Sequence, residues 1–152
     1  LYPAHLDYTH YACYLPRGYD GVTWRKLPAP DSDPQAVLRM NRASTRDEAI
    51  AAFLEEVSRE RADLILLAGD FNTGNAAAVL AGLGGGFRIL SDTTRMTFPS
   101  DNPAVRIDYI LGRGLPTSAT VAESAVDHTA TASDHCPLWV TLVWKRGKQP
   151  GK

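Results

Sequence analysis

The feature that most constrains the fold is a run of five apolar residues, Leu64 to Ala68, that stops abruptly at Gly69 and Asp70. Five residues are too few for a helix but suit a strand, and an unbroken apolar run is typical of a strand covered on both faces. Strands of this kind belong to sheets that pack against helices. The run therefore predicts a layered α/β fold in which a buried strand ends at a polar segment.

A segment upstream of this strand has the periodicity of an amphipathic helix. Its apolar residues recur at three- and four-residue spacing, namely Ile50, Phe53, Leu54 and Val57. Ser44 and Asp47 form an N-cap signature, and Glu55 and Arg59 form an i,i+4 pair near the other end. We expect this helix to lie on the sheet.

The other elements are predicted from shorter patterns. Apolar or alternating runs predict strands, and a short run closed by glycines predicts a helix. The strands are Leu1–Leu6, Val105–Leu111, Ser118–Val126 and Leu138–Trp144, and the helix is Ala76–Leu83. Residues 7–41 and 91–102 are expected to be irregular, because glycine and proline interrupt them and no periodicity is present. The aromatic residues of the first stretch either cover a substrate or pack the loop onto its own domain; they are Tyr8, Tyr11, Tyr14, Tyr19 and Trp24.

Length and charge limit the class of protein. The chain has 152 residues, 44% hydrophobic and 22% charged, which is typical of one globular domain. We expect that domain to span residues 1–144 and a disordered basic tail to span 145–152. No apolar run approaches the ~18 residues of a membrane span. The formal charge of -1 excludes a strong overall positive field of the kind that attracts nucleic acid.

Three polar clusters lie next to predicted strands. The first, Gly69-Asp70-Phe71-Asn72, places a carboxylate and a carboxamide at the carboxyl end of a strand, where open α/β sheets bind ligands. Asp70 there is suited to holding a metal or activating water, and Asn72 to donating to an oxyanion. The alternative is that both residues only shape a turn.

The second cluster, Arg106-Ile107-Asp108-Tyr109-Ile110, places a carboxylate inside an otherwise apolar strand. A buried carboxylate must be paired, because an isolated charge in a low dielectric is costly. The sequence allows two possible partners for Asp108. Asp108 either forms an ion pair with Arg106 or orients a histidine from elsewhere in the chain.

The third cluster, Ser133-Asp134-His135-Cys136-Pro137, comes directly before the last strand. It either offers a hard oxygen ligand beside a group that titrates near neutral pH, or forms only a plain turn. His5, at the end of the first strand, is placed to face the same pocket as this third cluster. We interpret His10 and His128 as ordinary loop residues.

In this order the clusters resemble the endonuclease/exonuclease/phosphatase superfamily, which includes deoxyribonuclease-like and other divalent-metal phosphoesterases. His5-Leu6 is similar to the family's His-Leu strand end, Gly69–Asn72 to its GDFN motif, Arg106–Ile110 to its RIDYI motif and Ser133–His135 to its SDH motif. The histidine-rich motifs of calcineurin-like metallophosphatases are absent from the sequence. The four matches run through nearly the whole chain.

The resemblance implies a four-layer α/β sandwich and a metal-assisted attack of water on a phosphoester. It implies that Asp70 aligns or deprotonates the water and that Asn72 bonds the phosphoryl oxygens. His135 would contact phosphate or act as the base, with Asp108 holding its ring, and His5 would assist the leaving group. The implied metal is Mg²⁺ or Mn²⁺, bound by Asp134 with Asp70 and Asn72. The family's metal-binding Glu lies upstream of the His-Leu strand, so we expect this chain to be the C-terminal part of the domain and, alone, to be inactive or nearly so.

The substrate and setting are less constrained by the sequence. The neutral charge favours a small phosphodiester or phosphomonoester over nucleic acid. A non-catalytic module that binds a phosphate ligand or a protein remains the alternative. We expect a monomer without a transmembrane segment, and a secreted or periplasmic location is favoured. Cys13 and Cys136 permit one disulfide without requiring it.

Overall fold

The structure is a computed structural model that describes residues 1–6, 45–72, 74, 80–81, 83–84 and 86–145. Several predicted features lie outside the described residues. They are the aromatic residues of the stretch 7–41, His10, Cys13, the N-cap signature at Ser44 and Asp47, most of the helix Ala76–Leu83, and the tail beyond Lys145.

The described chain contains one long helix and six strands. Helix α1 spans Thr45–Arg59. The strands are β1 (Tyr2–His5), β2 (Ile65–Asp70), β3 (Arg88–Ile89), β4 (Asp108–Arg113), β5 (Thr120–Val126) and β6 (Leu138–Val143). The helix and the strands expected around β1, β2, β4, β5 and β6 are confirmed, whereas β3 was not expected because two residues carry no periodicity.

Four strands form one mixed sheet in the order β1-β2-β4-β3. Strand β1 runs parallel to β2, while β4 runs antiparallel to both β2 and β3. The parallel pair requires a long crossover, and α1 is part of the chain that connects β1 to β2. The sheet therefore has the α/β character that the apolar run predicted.

One face of this sheet packs against α1. Ile50 and Val57 of the helix are buried in the same cluster as Ile65 and Leu67 of β2. Phe53 and Leu54 pack against that cluster, as the helical spacing indicated. Successive strand residues point to opposite faces, so Leu66, Ala68 and Asp70 lie on the face away from α1, where they are half-buried. The expectation that β2 is covered on both faces is thus met fully on one face only.

Strand β4 begins three residues later than the apolar pattern predicted. Val105 does not join the β2–β4 ladder but pairs with Phe98 in an isolated antiparallel bridge. The Ile107 carbonyl accepts a hydrogen bond from the Phe71 amide at 2.8 Å, just beyond the end of β2. Residues 91–102 are therefore irregular but tied to the strand that follows them.

Strands β5 and β6 form a separate antiparallel sheet of two strands. Exposure alternates along β6: Trp139, Thr141 and Val143 are exposed, while Leu138, Val140 and Leu142 are half-buried. Residues 96–100, which we term the bridging segment, bond to the loop before β6. The Ser100 amide donates to the Asp134 carbonyl at 2.8 Å and the Ser100 hydroxyl to the Ser133 carbonyl at 2.7 Å.

Within the described part of the chain, no helix combines the length and the apolar character that a bilayer span requires. Among the described residues Cys136 is a buried thiol without a disulfide partner, and Cys13, the other cysteine that a disulfide would need, lies outside them.

Candidate active site

Three of the predicted site residues stand in one row across the large sheet. His5 of β1 pairs in register with Asp70 of β2, and Asp70 pairs with Asp108 of β4. Residues directly opposite one another on neighbouring strands point to the same face. The three side chains therefore share the end of the sheet face that points away from α1.

Asp70 is the centre of this row. Its Oδ1 accepts a hydrogen bond from the Asn72 amide at 2.7 Å, and its Oδ2 lies 3.9 Å from Nε2 of both His5 and His135. Its side chain is only 14% exposed. Burial raises the pKa of Asp70 to about 6, with the Asn72 amide opposing the shift and the nearby Asp108 adding to it. A carboxylate of this kind is ionised at neutral pH yet is a stronger base than an exposed aspartate.

Asn72 closes the turn after β2. It adopts a positive φ of 47° and is 1% exposed. Its Nδ2 donates to the Leu6 carbonyl at 2.7 Å, and the Leu6 amide donates to the Asp70 carbonyl at 2.9 Å. Asparagine tolerates this backbone conformation better than most residues. The residue thus joins the ends of β1 and β2 beside Asp70, which fits the turn interpretation and keeps its carboxamide next to the site.

His135 reaches Asp108 from the other sheet. Its Nδ1 lies 3.0 Å from Asp108 Oδ2 and 3.2 Å from Oδ1. The hydrogen bond to Asp108 raises the pKa of His135, against the opposing effect of burial. An imidazole that donates Nδ1–H to a carboxylate presents Nε2 on its opposite side. That atom is directed towards Asp70, so the two carboxylates contact opposite sides of one ring.

The buried Arg106 does not pair with Asp108, which overturns one of the two open interpretations. Its Nη1 donates to the Arg95 carbonyl and its Nη2 to the Ser91 hydroxyl, both at 2.8 Å. The guanidinium also lies over the Tyr109 ring, 5.1 Å from its centroid. The reason is directional: Asp108 points to the site face, while the guanidinium of Arg106 braces the segment after β3. Asp108 instead contacts a histidine, which agrees with the second interpretation.

The donors predicted to bind a metal fit a hard cation by type. Asp134 is exposed and sits beside His135, and Asp70 supplies a second carboxylate. Carboxylate and carboxamide oxygens are the ligands that Mg²⁺ and Mn²⁺ prefer. Among the described residues, however, no group of three or more His, Cys, Asp or Glu side chains is arranged to hold a metal ion. The described donors therefore fit such a cation in chemistry but do not form a complete ligand set.

Sequence reasoning missed the residues that bring the two sheets together at the site. Phe98, only 1% exposed, places its ring 4.9 Å from the His135 ring, measured between centroids. Thr97, which is fully buried, accepts hydrogen bonds from the backbone next to Asp108. Both lie in a stretch that was interpreted only as irregular. The available signal was an apolar and β-branched pair directly before Pro99, which is unusual for an exposed loop.

The row of residues also borders a cleft. A cavity of about 360 Å³ lies between β4 and β6, and Asp108 and His135 form part of its lining together with Gly69, Ser133 and Pro137. The His–Asp pair is therefore accessible from a concave surface between the two sheets.

Comparison with known proteins agrees with the order of these clusters along the chain. Residues 2–135 match the family model described as the endonuclease/exonuclease/phosphatase family. The chain belongs to this family. All four clusters that carried the resemblance, from His5 to His135, fall within the matched residues.

Among solved structures, a mannosyl-6-phosphatase of Bacteroides thetaiotaomicron VPI-5482 is similar with a TM-score of 0.47 and 21% identity. The similarity covers 64% of this chain and 44% of that protein. No match was found among curated proteins.

Proposed function

We propose that this endonuclease/exonuclease/phosphatase-family chain carries most of the active site of a phosphoesterase that hydrolyses its substrate by attack of water. The observation that supports this most is the linked set His5, Asp70, Asp108 and His135, in which one carboxylate faces two imidazoles and another holds one of them. Phosphoester hydrolysis needs a base for water and donors for the phosphoryl oxygens. The set offers both kinds of group within one small region.

Asp70 is the proposed base. Its pKa, raised to about 6, is still below neutral pH, so the carboxylate stays mostly ionised while its basicity comes closer to the working pH, which favours proton transfer. The Asn72 amide fixes Oδ1, so Oδ2 is the oxygen that faces the histidines and is available to take a proton from water.

His135 is the proposed phosphate donor. The bond to Asp108 raises its pKa, which favours the protonated ring, and a protonated ring donates from Nε2. A cationic donor suits a phosphoryl oxygen better than it suits proton abstraction. His5, whose side chain is 69% exposed, stands on the other side of Asp70 and is proposed to assist the leaving oxygen.

We propose Mg²⁺ or Mn²⁺ as the cofactor, with Asp134 as one ligand and Asp70 and Asn72 as further donors. Such an ion would neutralise charge on the phosphoryl oxygens. Any remaining ligands would be water or groups outside the described residues, since Mg²⁺ retains several waters in most protein sites.

The proposed substrate is a small phosphodiester or phosphomonoester. The formal charge of -1 gives no basic field for a polyanion, and the cleft of about 360 Å³ is near the lower end of the roughly 300–1,000 Å³ typical of small-molecule sites. We also propose that the two described sheets belong to a four-layer sandwich whose domain spans residues 1–144, with a disordered tail at 145–152. A monomer is the proposed state.

The test is hydrolysis of bis-p-nitrophenyl phosphate and p-nitrophenyl phosphate by the full-length gene product, with Mg²⁺, with Mn²⁺ and with a chelator. Asp70→Asn and His135→Gln are compared with Asp63→Asn, a matched control at the opposite, exposed end of the segment that forms β2. We expect metal-dependent turnover by the wild-type protein and by the control. In the two site variants turnover should fall by about 10²-fold or more, the usual range for the loss of a catalytic acid or base.

Turnover that survives both site variants would contradict the assigned roles. Absence of turnover with every metal and both substrates, combined with measurable binding of inorganic phosphate, would favour the non-catalytic binding module instead.

A further inference from the structure

The Asp108–His135 pair joins two separate sheets, so something must set the distance between its members. Asp108 is the first residue of β4 in the four-stranded sheet. His135 precedes β6 of the two-stranded sheet by three positions. The two residues are 27 positions apart in the chain, and their own hydrogen bond is partly exposed. A single contact between two side chains is a poor way to hold two sheets to within the roughly 0.5 Å that a catalytic pair needs.

Thr97 bonds to the Asp108 side of the pair through its side chain. Its Oγ1 accepts hydrogen bonds from the backbone amides of Ile107 at 3.1 Å and Asp108 at 3.2 Å. Thr97 is fully buried, so water does not compete for these bonds. The hydroxyl therefore fixes the backbone from which the Asp108 carboxylate projects.

The same residue bonds to the His135 side through its main chain. The Thr97 carbonyl accepts from the Cys136 amide at 2.7 Å, and Cys136 directly follows His135 and is 2% exposed. The Thr97 amide in turn donates to the Val105 carbonyl at 3.0 Å. Both polar groups of the Thr97 main chain are thus used, one of them next to the histidine.

We propose that Thr97 is the positioning residue of the Asp108–His135 pair: its hydroxyl fixes one partner and its carbonyl the other. Thr97 is fully buried, so its side chain is confined by its neighbours, and the hydroxyl and the carbonyl keep a nearly constant relation. Among the described residues, Ser100 of the same bridging segment bonds to Ser133 and Asp134 on the His135 side and to none on the Asp108 side. Thr97 acts through the pair and does not itself touch the reacting atoms.

The catalytic importance of Thr97 rests on the proposed hydrolysis. Its effect on the geometry of the Asp108–His135 pair can be tested without measuring turnover. The test uses the full-length gene product labelled with ¹⁵N at histidine, and records long-range ¹H–¹⁵N correlation spectra at one fixed pH in the presence of chelator. His135→Gln assigns the His135 signals. Wild-type protein is expected to show the Nδ1-protonated state that the contact with Asp108 requires.

The decisive variant is Thr97→Val, which keeps the shape and the carbonyl but removes the hydroxyl acceptor. Ser91→Ala is the matched control, because the buried Ser91 hydroxyl accepts hydrogen bonds from the Ile110 amide of the same strand at 3.0 Å and from Arg106 Nη2 at 2.8 Å but makes no bond towards His135. Thr97→Ser restores the acceptor. We expect Thr97→Val to shift or broaden the His135 signals and to lower kcat with little change in KM, whereas Ser91→Ala and Thr97→Ser keep the wild-type His135 signals.

Wild-type His135 signals in a folded Thr97→Val variant would overturn the proposal. A loss of stability in that variant equal to the loss in Ser91→Ala would not rescue it, because stability alone does not report the position of His135. If Thr97→Val is recovered unfolded, Thr97→Ser decides, since loss of the signals in that folded variant would show that the hydroxyl does not fix the pair. A protein with no turnover but with the expected spectral pattern would refute the proposed function and leave the positioning role standing.

Discussion

At the scale of single residues, the site depends on carboxylates that the fold holds in unfavourable surroundings. Asp70 is largely buried, faces Asp108, and receives its clearest hydrogen bond from one backbone amide. Sites that tune a pKa in this way commonly lower stability, because burial penalises the charged form that the chemistry needs. The stability of the protein should therefore respond to the charge on Asp70.

We predict that Asp70→Asn raises the free energy of unfolding at pH 8. Burial raises the pKa of Asp70 from its ordinary value of 3.8 to about 6, so the folded state binds the proton more tightly than the unfolded state does. Protonation of Asp70 therefore contributes to the free energy of unfolding. This contribution is fully present below about pH 4 and is lost as the pH rises through about 6. At about 1.4 kcal/mol per pKa unit, the amide should add about 1–3 kcal/mol at pH 8.

Urea unfolding at pH 4 and pH 8 with chelator measures this effect. Asp63→Asn is the control, because its carboxylate is exposed and should show no such gain. A lower stability of Asp70→Asn at pH 8 would contradict the burial argument and would indicate that the carboxylate is stabilised by its neighbours.

A second prediction at this scale concerns the carboxylate that holds the histidine. Asp108→Asn keeps the size of the side chain but replaces one accepting oxygen with a donor, which no longer favours a proton on His135 Nδ1. We expect kcat to fall by about 10²–10⁴-fold with a smaller change in KM. Steady-state hydrolysis by the full-length gene product tests this prediction, with Asp63→Asn as the control. A rate for Asp108→Asn within a few-fold of wild type would show that other contacts orient the His135 ring.

At the scale of elements, the site depends on how closely β1 approaches β2. Gly69 pairs with Ala4 and has a φ of 146°. A Cβ placed on Gly69 would overlap the Ala4 carbonyl. Glycine is required here because the backbone conformation and the close approach both exclude a side chain. The next pair along these strands is His5 and Asp70, so this approach sets the distance between their side chains.

We therefore predict that Gly69→Ala moves β1 away from β2. The expected loss of stability is larger than for Gly84→Ala. Gly84 also has a positive φ, of 60°, but a Cβ added there would meet only open space. Backbone strain alone costs about 1–2 kcal/mol, and overlap adds about 1–3 kcal/mol. Chemical denaturation of both variants measures the difference, and equal losses would show that β1 adapts without displacement.

The extent to which sequence could anticipate these features also differs between elements. Helix α1 and the chemical clusters are contiguous patterns, and such patterns follow from local periodicity and composition. The register that aligns His5, Asp70 and Asp108 is set between strands, and no local pattern encodes it. The direction of Arg106 and the bonds of Thr97 depend likewise on packing across sequence separations of eight residues or more, so a local pattern leaves the first open and does not indicate the second.

At the scale of the whole molecule, the described chain consists of two sheets that meet at the site. The bridging segment lies between them and contributes Phe98, whose ring packs with Val105 and Ile107 in a buried cluster separate from the one beneath α1. This cluster is small, so its loss affects how the sheets meet more than whether each sheet forms.

We predict that Phe98→Ala impairs both stability and activity, whereas Phe87→Ala impairs stability alone. Truncating a buried phenylalanine costs about 3–5 kcal/mol, and both rings are at least nine-tenths buried. Phe87 packs in the cluster beneath α1, away from the row of site residues, while the Phe98 ring contacts His135. Unfolding curves and kcat values, taken at a temperature where both variants stay folded, separate the two effects. Equal kcat values for the two folded variants would mean that His135 keeps its place without the ring, and that hydrogen bonds alone hold the two sheets in their catalytic arrangement.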